Sequence, residues 1–250
     1  MKIIITFLCF SALLTLLFLC NVVAQTFSYL PAEINGHQTL IYTQFTLSYN
    51  EEHEQSDWVA YELTGNEAAM SRDRCNCFSK DKQVTTGSSI ESDYRSTGFD
   101  KGHLCPAADN NMSDKANRES FLMSNMSPQL PSFNREVWAE LESWVRKQAE
   151  LHSTIYVVTG PVFTNNLGTI GGNNVTIPGY FYKTLLRFDG IKAKTIGFLL
   201  PQVGATGNIK DYVVPVNTIE TLTGLDFYPE LDNSVENKVE AQYEIKKWGF

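Results

Sequence analysis

One stretch of this chain carries the period of a long helix, from about Asn134 to Glu150; most other patterned stretches carry the period of a strand. In that stretch Val137, Trp138, Leu141, Trp144 and Val145 fall at helical spacing and form one apolar stripe. Leu40 to Tyr49 alternates and is rich in β-formers, and Asp57 to Leu63 does the same until Thr64-Gly65 stops it. Ile155 to Thr159 reads as a buried strand ended by Gly160-Pro161, and Phe181–Phe188 and Thr195–Leu200 read as further strands. Ser113 predicts the cap of a short helix reaching about Ser120, and Val213–Gly224 holds another starting near Val216. Asn66–Thr97 is polar and irregular, and Ser124–Gln129 reads as a turn or loop. One long amphipathic helix among many strands predicts an α+β fold, a central mixed or antiparallel sheet flanked by helices. No repeat and no Pro/Gly/Ser-rich linker divides it, so residues 25–250 are expected to form one domain.

The first residues predict the compartment. Met1-Lys2 precedes an almost purely apolar run from Ile3 to Leu19, just short of a bilayer span, and Val22-Val23-Ala24 supplies small residues for processing. Residues 1–24 therefore read as a signal peptide, and the product as a secreted protein, extracellular or periplasmic, with no stable membrane association once cleaved. Cleavage removes Cys9 and Cys20 and leaves Cys75, Cys77 and Cys105. The expectation is a bridge from Cys105 to Cys75 or Cys77. Three thiolates without a fourth ligand do not make a standard zinc site. The net charge of −8 argues against a coat protein or histone-like binder. It is compatible with an enzyme that meets phosphates through a local basic patch and a metal ion.

The chemistry concentrates in Gly98–Asn110, "GFDKGHLCPAADN", which holds one of four histidines. Gly102 is expected to let the backbone turn sharply and present the His103 imidazole outward, where its pKa class suits a general base. Asp100 is placed to orient the same loop. Asn134, thirty-one positions after His103, stands where the long helix begins. Its carboxamide oxygen is a hard donor suited to Mg²⁺, although helix capping alone also explains an Asn there. Glu142 follows two turns later, about 80° round the helix, which suits a water-mediated contact better than direct ligation. Arg72 and Arg74 flank Asp73.

"GFDKGHLCPAADN", "FLMSNMSPQLPSFN" and "VWAELESWVR" together resemble the DNA/RNA non-specific endonucleases, the ββα-metal family of the Serratia nuclease and endonuclease G type. "WVAYELT", "TIYVVTGPVF", "IPGYFYK" and "DYVVPVNTIETLTGLDFYPEL" extend the likeness over roughly the whole mature chain. The resemblance implies a ββα-metal active-site motif with His103 as general base and Asn134 as the one direct protein ligand of Mg²⁺, Mn²⁺ serving in substitution. Glu142 would hold water beside the ion, and Asn125 would support the site by hydrogen bonding. Arg74, or alternatively Arg72, would stabilise charge on the phosphate. The implied reaction is hydrolysis of DNA and RNA with little sequence preference, giving 5′-phosphate ends. Lys101 stands where the family usually has arginine, which keeps the charge and loses the bidentate fork. That departure motivates the alternative, a catalytically impaired secreted nucleic-acid-binding protein on the same fold. No Gly-x-Ser-x-Gly elbow supports a serine esterase.

Overall fold

The computed structural model describes residues 27–250, and the expected leader, residues 1–24, lies outside them. The stretch from Leu40 to Tyr49 is two strands, β1 (Gln38–Ile41) and β2 (Phe45–Asn50), because the chain reverses after Tyr42, whose amide donates to Phe45 O at 2.8 Å. β3 (Gln55–Thr64) ends in a capping box that starts α1 (Gly65–Ala68), in which Thr64 and Glu67 satisfy each other's amides. Then follow α2 (Glu91–Tyr94), β4 (Asp100–His103), α3 (Asp114–Glu119), β5 (Met126–Gln129) and α4 (Ala139–His152). The Ser113 side chain caps α3 as expected. β6 (Thr154–Val162), the hairpin β7 (Thr169–Ile170) and β8 (Val175–Thr176), β9 (Tyr180–Phe188), β10 (Ala193–Pro201) and β11 (Val213–Val214) complete the strands, and α5 (Val216–Thr223) and α6 (Asn233–Glu240) follow.

Seven strands form the main sheet in the order β1-β2-β3-β6-β9-β10-β11, and every pairing in it is antiparallel. Alternation along the strands gives it two apolar faces. Val59, Tyr61, Val157, Phe181 and Leu185 face one way, against Val137, Trp138, Leu141 and Val145 of the long helix. Ala60, Val158, Tyr182 and Leu186 face the other way, against Val216 and Ile219 of α5 and against Phe227 and Tyr228. Each buried Val, Leu, Ile or Phe among them contributes about 1.5–3 kcal/mol by leaving water, so both faces of the sheet are anchored. A third cluster, with Tyr94, Met123, Met126, Ile170 and Val175, ties β5 to the β7–β8 hairpin.

Three readings of the sequence are corrected. Gly160-Pro161 does not end its strand: the β3 ladder stops at Thr159, so Pro161 lies opposite Phe181 of β9 where no second neighbour needs its missing N–H. Ser124–Gln129 is not a loop, since Met126–Gln129 is the strand β5, paired with β4 and wholly buried. The bridge expected from Cys105 does not form: Cys75 is bonded to Cys77, and Cys105 is a free thiol with no exposed surface. Cys105 is packed in the main core and takes a contact from Asn110 Nδ2 at 3.1 Å, out of reach of the exposed loop that carries the pair.

Candidate active site

β4 and β5 run antiparallel, with Asp100 opposite Gln129 and His103 opposite Met126, and the long helix starts four residues after β5. Gly98, at φ +85°, turns the chain into β4. Gly102 is not the turn expected of it. It lies in the strand, and a Cβ there would stand 2.1 Å from Gln129 Oε1, so the glycine admits a buried neighbour.

The His103 imidazole is accordingly not held outward; the residue is 7% exposed. Phe121 meets its ring edge-on at 4.9 Å and Phe78 lies 5.9 Å away. Its Nε2 is buried without a hydrogen-bond partner among the described residues. Burial, and then the nearby Arg74 charge, push its pKa down to about 3, so the ring is neutral over the whole neutral range. Asn125 fixes the segment after His103: its Nδ2 donates to Cys105 O and Ser120 O at 2.9 and 2.8 Å, and its Oδ1 accepts from Cys105 N at 2.9 Å. Asn125 is fully buried and acts on that backbone.

The helix begins with a π-wound segment, Phe133–Trp138, before regular α4. Asn134 is not its cap, since the capping position is Ser132, which makes no side-chain cap bond. Instead Asn134 Nδ2 donates to Asp100 Oδ2 at 2.9 Å. A carboxylate only accepts, so the amide nitrogen must face Asp100 and the oxygen is left for another partner. Arg135 grips the same carboxylate with Nε at 2.9 Å and Nη2 at 2.7 Å. Burial opposes ionisation of Asp100, but these hydrogen bonds from Arg135 and Asn134 prevail and hold it below the usual carboxylate range.

Asn134, Asp100, Arg135, Arg74, Lys101 and Arg95 line one cleft of 440 Å³. Lys101 lies 4.3 Å over the Phe78 ring and 3.6 Å from Glu91. Arg74 stacks 5.0 Å over Phe121, the ring that also meets His103, and burial lowers its pKa while Glu142 works the other way. Arg72 is occupied elsewhere, on Asn111 O and Asp114. The structure thus gathers Asn134 and Arg74 in the cleft, sets His103 behind Phe78 of its wall, and leaves Arg72 and Asn125 outside it.

Glu142 is half-buried and its carboxylate makes no hydrogen bond among the described residues, so its oxygens remain for water. Burial raises its pKa, with Lys183 the largest opposing influence. The π winding helps to place it: i→i+5 turns rotate each residue less, which brings Glu142 closer to the Asn134 face than a regular helix would. Behind it Asp109, fully buried, accepts from Arg146 Nη1 at 3.0 Å and Tyr61 OH at 2.9 Å. Sequence reasoning missed Asp109, Arg146 and Lys183. Arg146 was legible as the basic residue one turn after Glu142, and Lys183 as the one charge inside the strand pattern Phe181–Leu186.

The donor set suits a metal that keeps its water. Among the described residues no three His, Cys, Asp or Glu side chains converge to hold an ion. One free carboxamide oxygen with a carboxylate nearby fits Mg²⁺, which dehydrates reluctantly, and does not fit a protein cage for zinc.

Two antiparallel strands, a helix, one histidine and a basic cleft are the arrangement expected of a phosphodiester-cleaving enzyme of the ββα type. A model of the family described as DNA/RNA non-specific endonuclease matches residues 24–234. A nuclease of Nostoc sp. is 32% identical over 217 residues, covering 80% of this chain and 78% of that protein. Mitochondrial endonuclease G of Bos taurus is 30% identical over 202 residues, covering 75% and 68%. A chain in the crystal structure of the EndoG/EndoGI complex superposes with a TM-score of 0.74 at 28% identity, covering 79% and 88%. The chain belongs to the DNA/RNA non-specific endonuclease family.

Proposed function

We propose that this nuclease is a secreted, Mg²⁺-dependent enzyme that cuts DNA and RNA internally with little sequence preference and leaves 5′-phosphate ends, residues 25–250 forming its single domain. The observation that carries the reading is the Asn134–Asp100 contact, which leaves the carboxamide oxygen free on a residue lining the basic cleft, with the unpaired imidazole nitrogen of His103 buried behind Phe78 of the cleft wall. Mg²⁺ held by Asn134, with Glu142 positioning water near it, would supply Lewis-acid stabilisation of the charge that develops on the phosphate.

The chain's own groups do the rest. Neutral His103 takes a proton from water at Nε2. An unpartnered buried nitrogen is costly, and an entering water removes that cost. Burial, and then Arg74, lower the basicity of His103 in the free protein; a phosphate in the cleft has the opposite sign to Arg74 and raises it. Arg74 shares the negative charge on phosphorus. Arg95 and Lys101 meet backbone phosphates, which carry no base identity, and this accounts for tolerance of sequence.

Purified protein incubated with plasmid and with RNA tests the reading. Cleavage is expected with Mg²⁺ and none with EDTA, and the DNA fragments should be ligatable without kinase treatment. His103→Ala should abolish cutting while the protein stays folded by circular dichroism. Cleavage that persists in EDTA would contradict the metal assignment. Shifted bands with no cleavage would favour the impaired-binder alternative, toward which only Lys101 leans.

A further inference from the structure

Lys183 lies in the middle of β9, opposite Thr159 on β6 and Phe198 on β10, and none of its surface is exposed. Its Nζ has no hydrogen-bond partner among the described residues. The nearest feature is the Trp138 ring, with Nζ 4.7 Å from its centroid. A buried ammonium without a hydrogen bond weakens a fold, and replacing such a charge by a packed apolar group is often neutral or stabilising. Packing therefore does not account for it.

Its surroundings do. Trp138 precedes Glu142 by four residues, so the two share a helix face one turn apart. Of the two carboxylates whose charge most supports the Lys183 ammonium, Asp109 already holds Arg146 and Tyr61, whereas Glu142 holds no hydrogen bond among the described residues. We propose that Lys183 is a positioning residue of the active site: its buried ammonium beneath Trp138 attracts the Glu142 carboxylate and holds it in place one turn further along the helix, with both oxygens free to hold water. The electrostatics agree. Burial depresses the Lys183 ammonium and Glu142 is its largest support, while Lys183 is in turn the largest support of the ionised Glu142, ahead of Arg146 and Arg74 and against Asp109. The buried Cys105 thiol, the other titratable group beside Lys183, is itself pushed up by burial and stays neutral.

This inference rests on the role given to Glu142 above, and the test separates the two. Lys183→Met, Lys183→Arg, Glu142→Gln and the double variant Lys183→Met/Glu142→Gln are compared in the full chain. Their kcat and KM on plasmid DNA with Mg²⁺ are measured, and their Tm without metal. Lys183→Met should lower kcat by roughly 10–100-fold, the usual effect of losing a partner behind a metal site, with KM unchanged. Lys183→Arg, which keeps the charge, should retain most of kcat. In metal-free melts the Tm of the double variant should exceed the sum of the single effects, since each charge is the other's counter-ion. Should Lys183→Met alone fail to fold, recovery of a folded protein in the double variant still supports the pairing, and failure to recover overturns it. Wild-type kcat in Lys183→Met with an inactive Glu142→Gln overturns the role of Lys183 alone. Wild-type kcat in Glu142→Gln removes the role of Glu142 itself. A fall of Tm and kcat together in Lys183→Met, with additive melts, reduces Lys183 to a structural residue.

Discussion

At the scale of residues, Asn134 is held through its nitrogen and offered through its oxygen. Aspartate would add an oxygen donor and remove the N–H that Asp100 accepts at 2.9 Å. It would also set two carboxylates against each other, and like charges that close cannot both stay ionised. Asn134→Asp is therefore expected to lose activity at pH 7 almost as fully as Asn134→Ala, measured by plasmid relaxation at saturating Mg²⁺. His103 makes a separate prediction about stability. Its folded pKa is depressed to about 3 from an ordinary value of 6.5, chiefly by burial. The unfolded chain thus binds the extra proton first, and the stabilisation is whole above pH 6.5 and drains away as pH falls toward 3. Each unit of that difference is worth about 1.4 kcal/mol. Urea midpoints measured from pH 7 to pH 4 should fall more steeply for wild type than for His103→Phe, and parallel curves would show that the imidazole is not buried neutral. His103, Asn134 and Glu142 were all legible as residue types in a pattern, but their partners were not. Nothing in the order of residues says that Asp100 will sit under Asn134, because that contact is made by two elements thirty-odd positions apart meeting in space.

At the scale of elements, the antiparallel pair β4 and β5 and the π-wound helix start together aim the site. Strands with alternating side chains were legible, as were the helices capped by Ser113 and starting near Val216. β5 was not, because Met126–Gln129 is buried on both sides and contains a proline, so neither alternation nor composition marks it. The π winding was invisible for a different reason: over six residues it differs from an α-helix by a single residue in register. Two variants probe this unit. Gly102→Ala brings a Cβ within 2.1 Å of the buried Gln129 side chain and must displace it. It should cost about 1–3 kcal/mol in urea unfolding, the usual range for overpacking, and lower kcat as well. Deleting Glu136, an exposed residue of the π segment, should restore regular α winding and rotate Asn134 away from Asp100. The expected result is a folded protein by circular dichroism with kcat down by about 100-fold, the scale of an ångström-sized misplacement in an active site. Retained activity would show that the winding does not set the aim.

At the scale of the whole molecule, an acidic protein has to hold a polyanion. The chain carries 28 acidic and 20 basic residues, yet its cleft gathers Arg74, Arg95, Lys101 and Arg135. These four are not equal. Arg135 is spent on Asp100 and Lys101 stands near Glu91, whereas Arg95 forms no ion pair among the described residues. Repulsion from the acidic body acts over distances longer than the Debye length of about 8 Å at physiological salt, so it is largely screened there. What survives is contact between cleft cations and phosphates, which releases counterions and makes affinity fall with salt by about 0.9 in log–log slope for each phosphate neutralised. Arg95 is exposed and makes no side-chain hydrogen bond or ion pair to His103, Asn134 or Arg74 among the described residues, so Arg95→Ala should raise KM on every DNA sequence alike and leave kcat intact. The salt slope of binding should fall by about 1. Binding isotherms of the EDTA-treated protein on two unrelated duplexes, taken at several salt concentrations, measure both quantities. An unchanged slope would place the substrate's phosphates on another surface of the molecule, and a change confined to one duplex would mean that Arg95 reads bases.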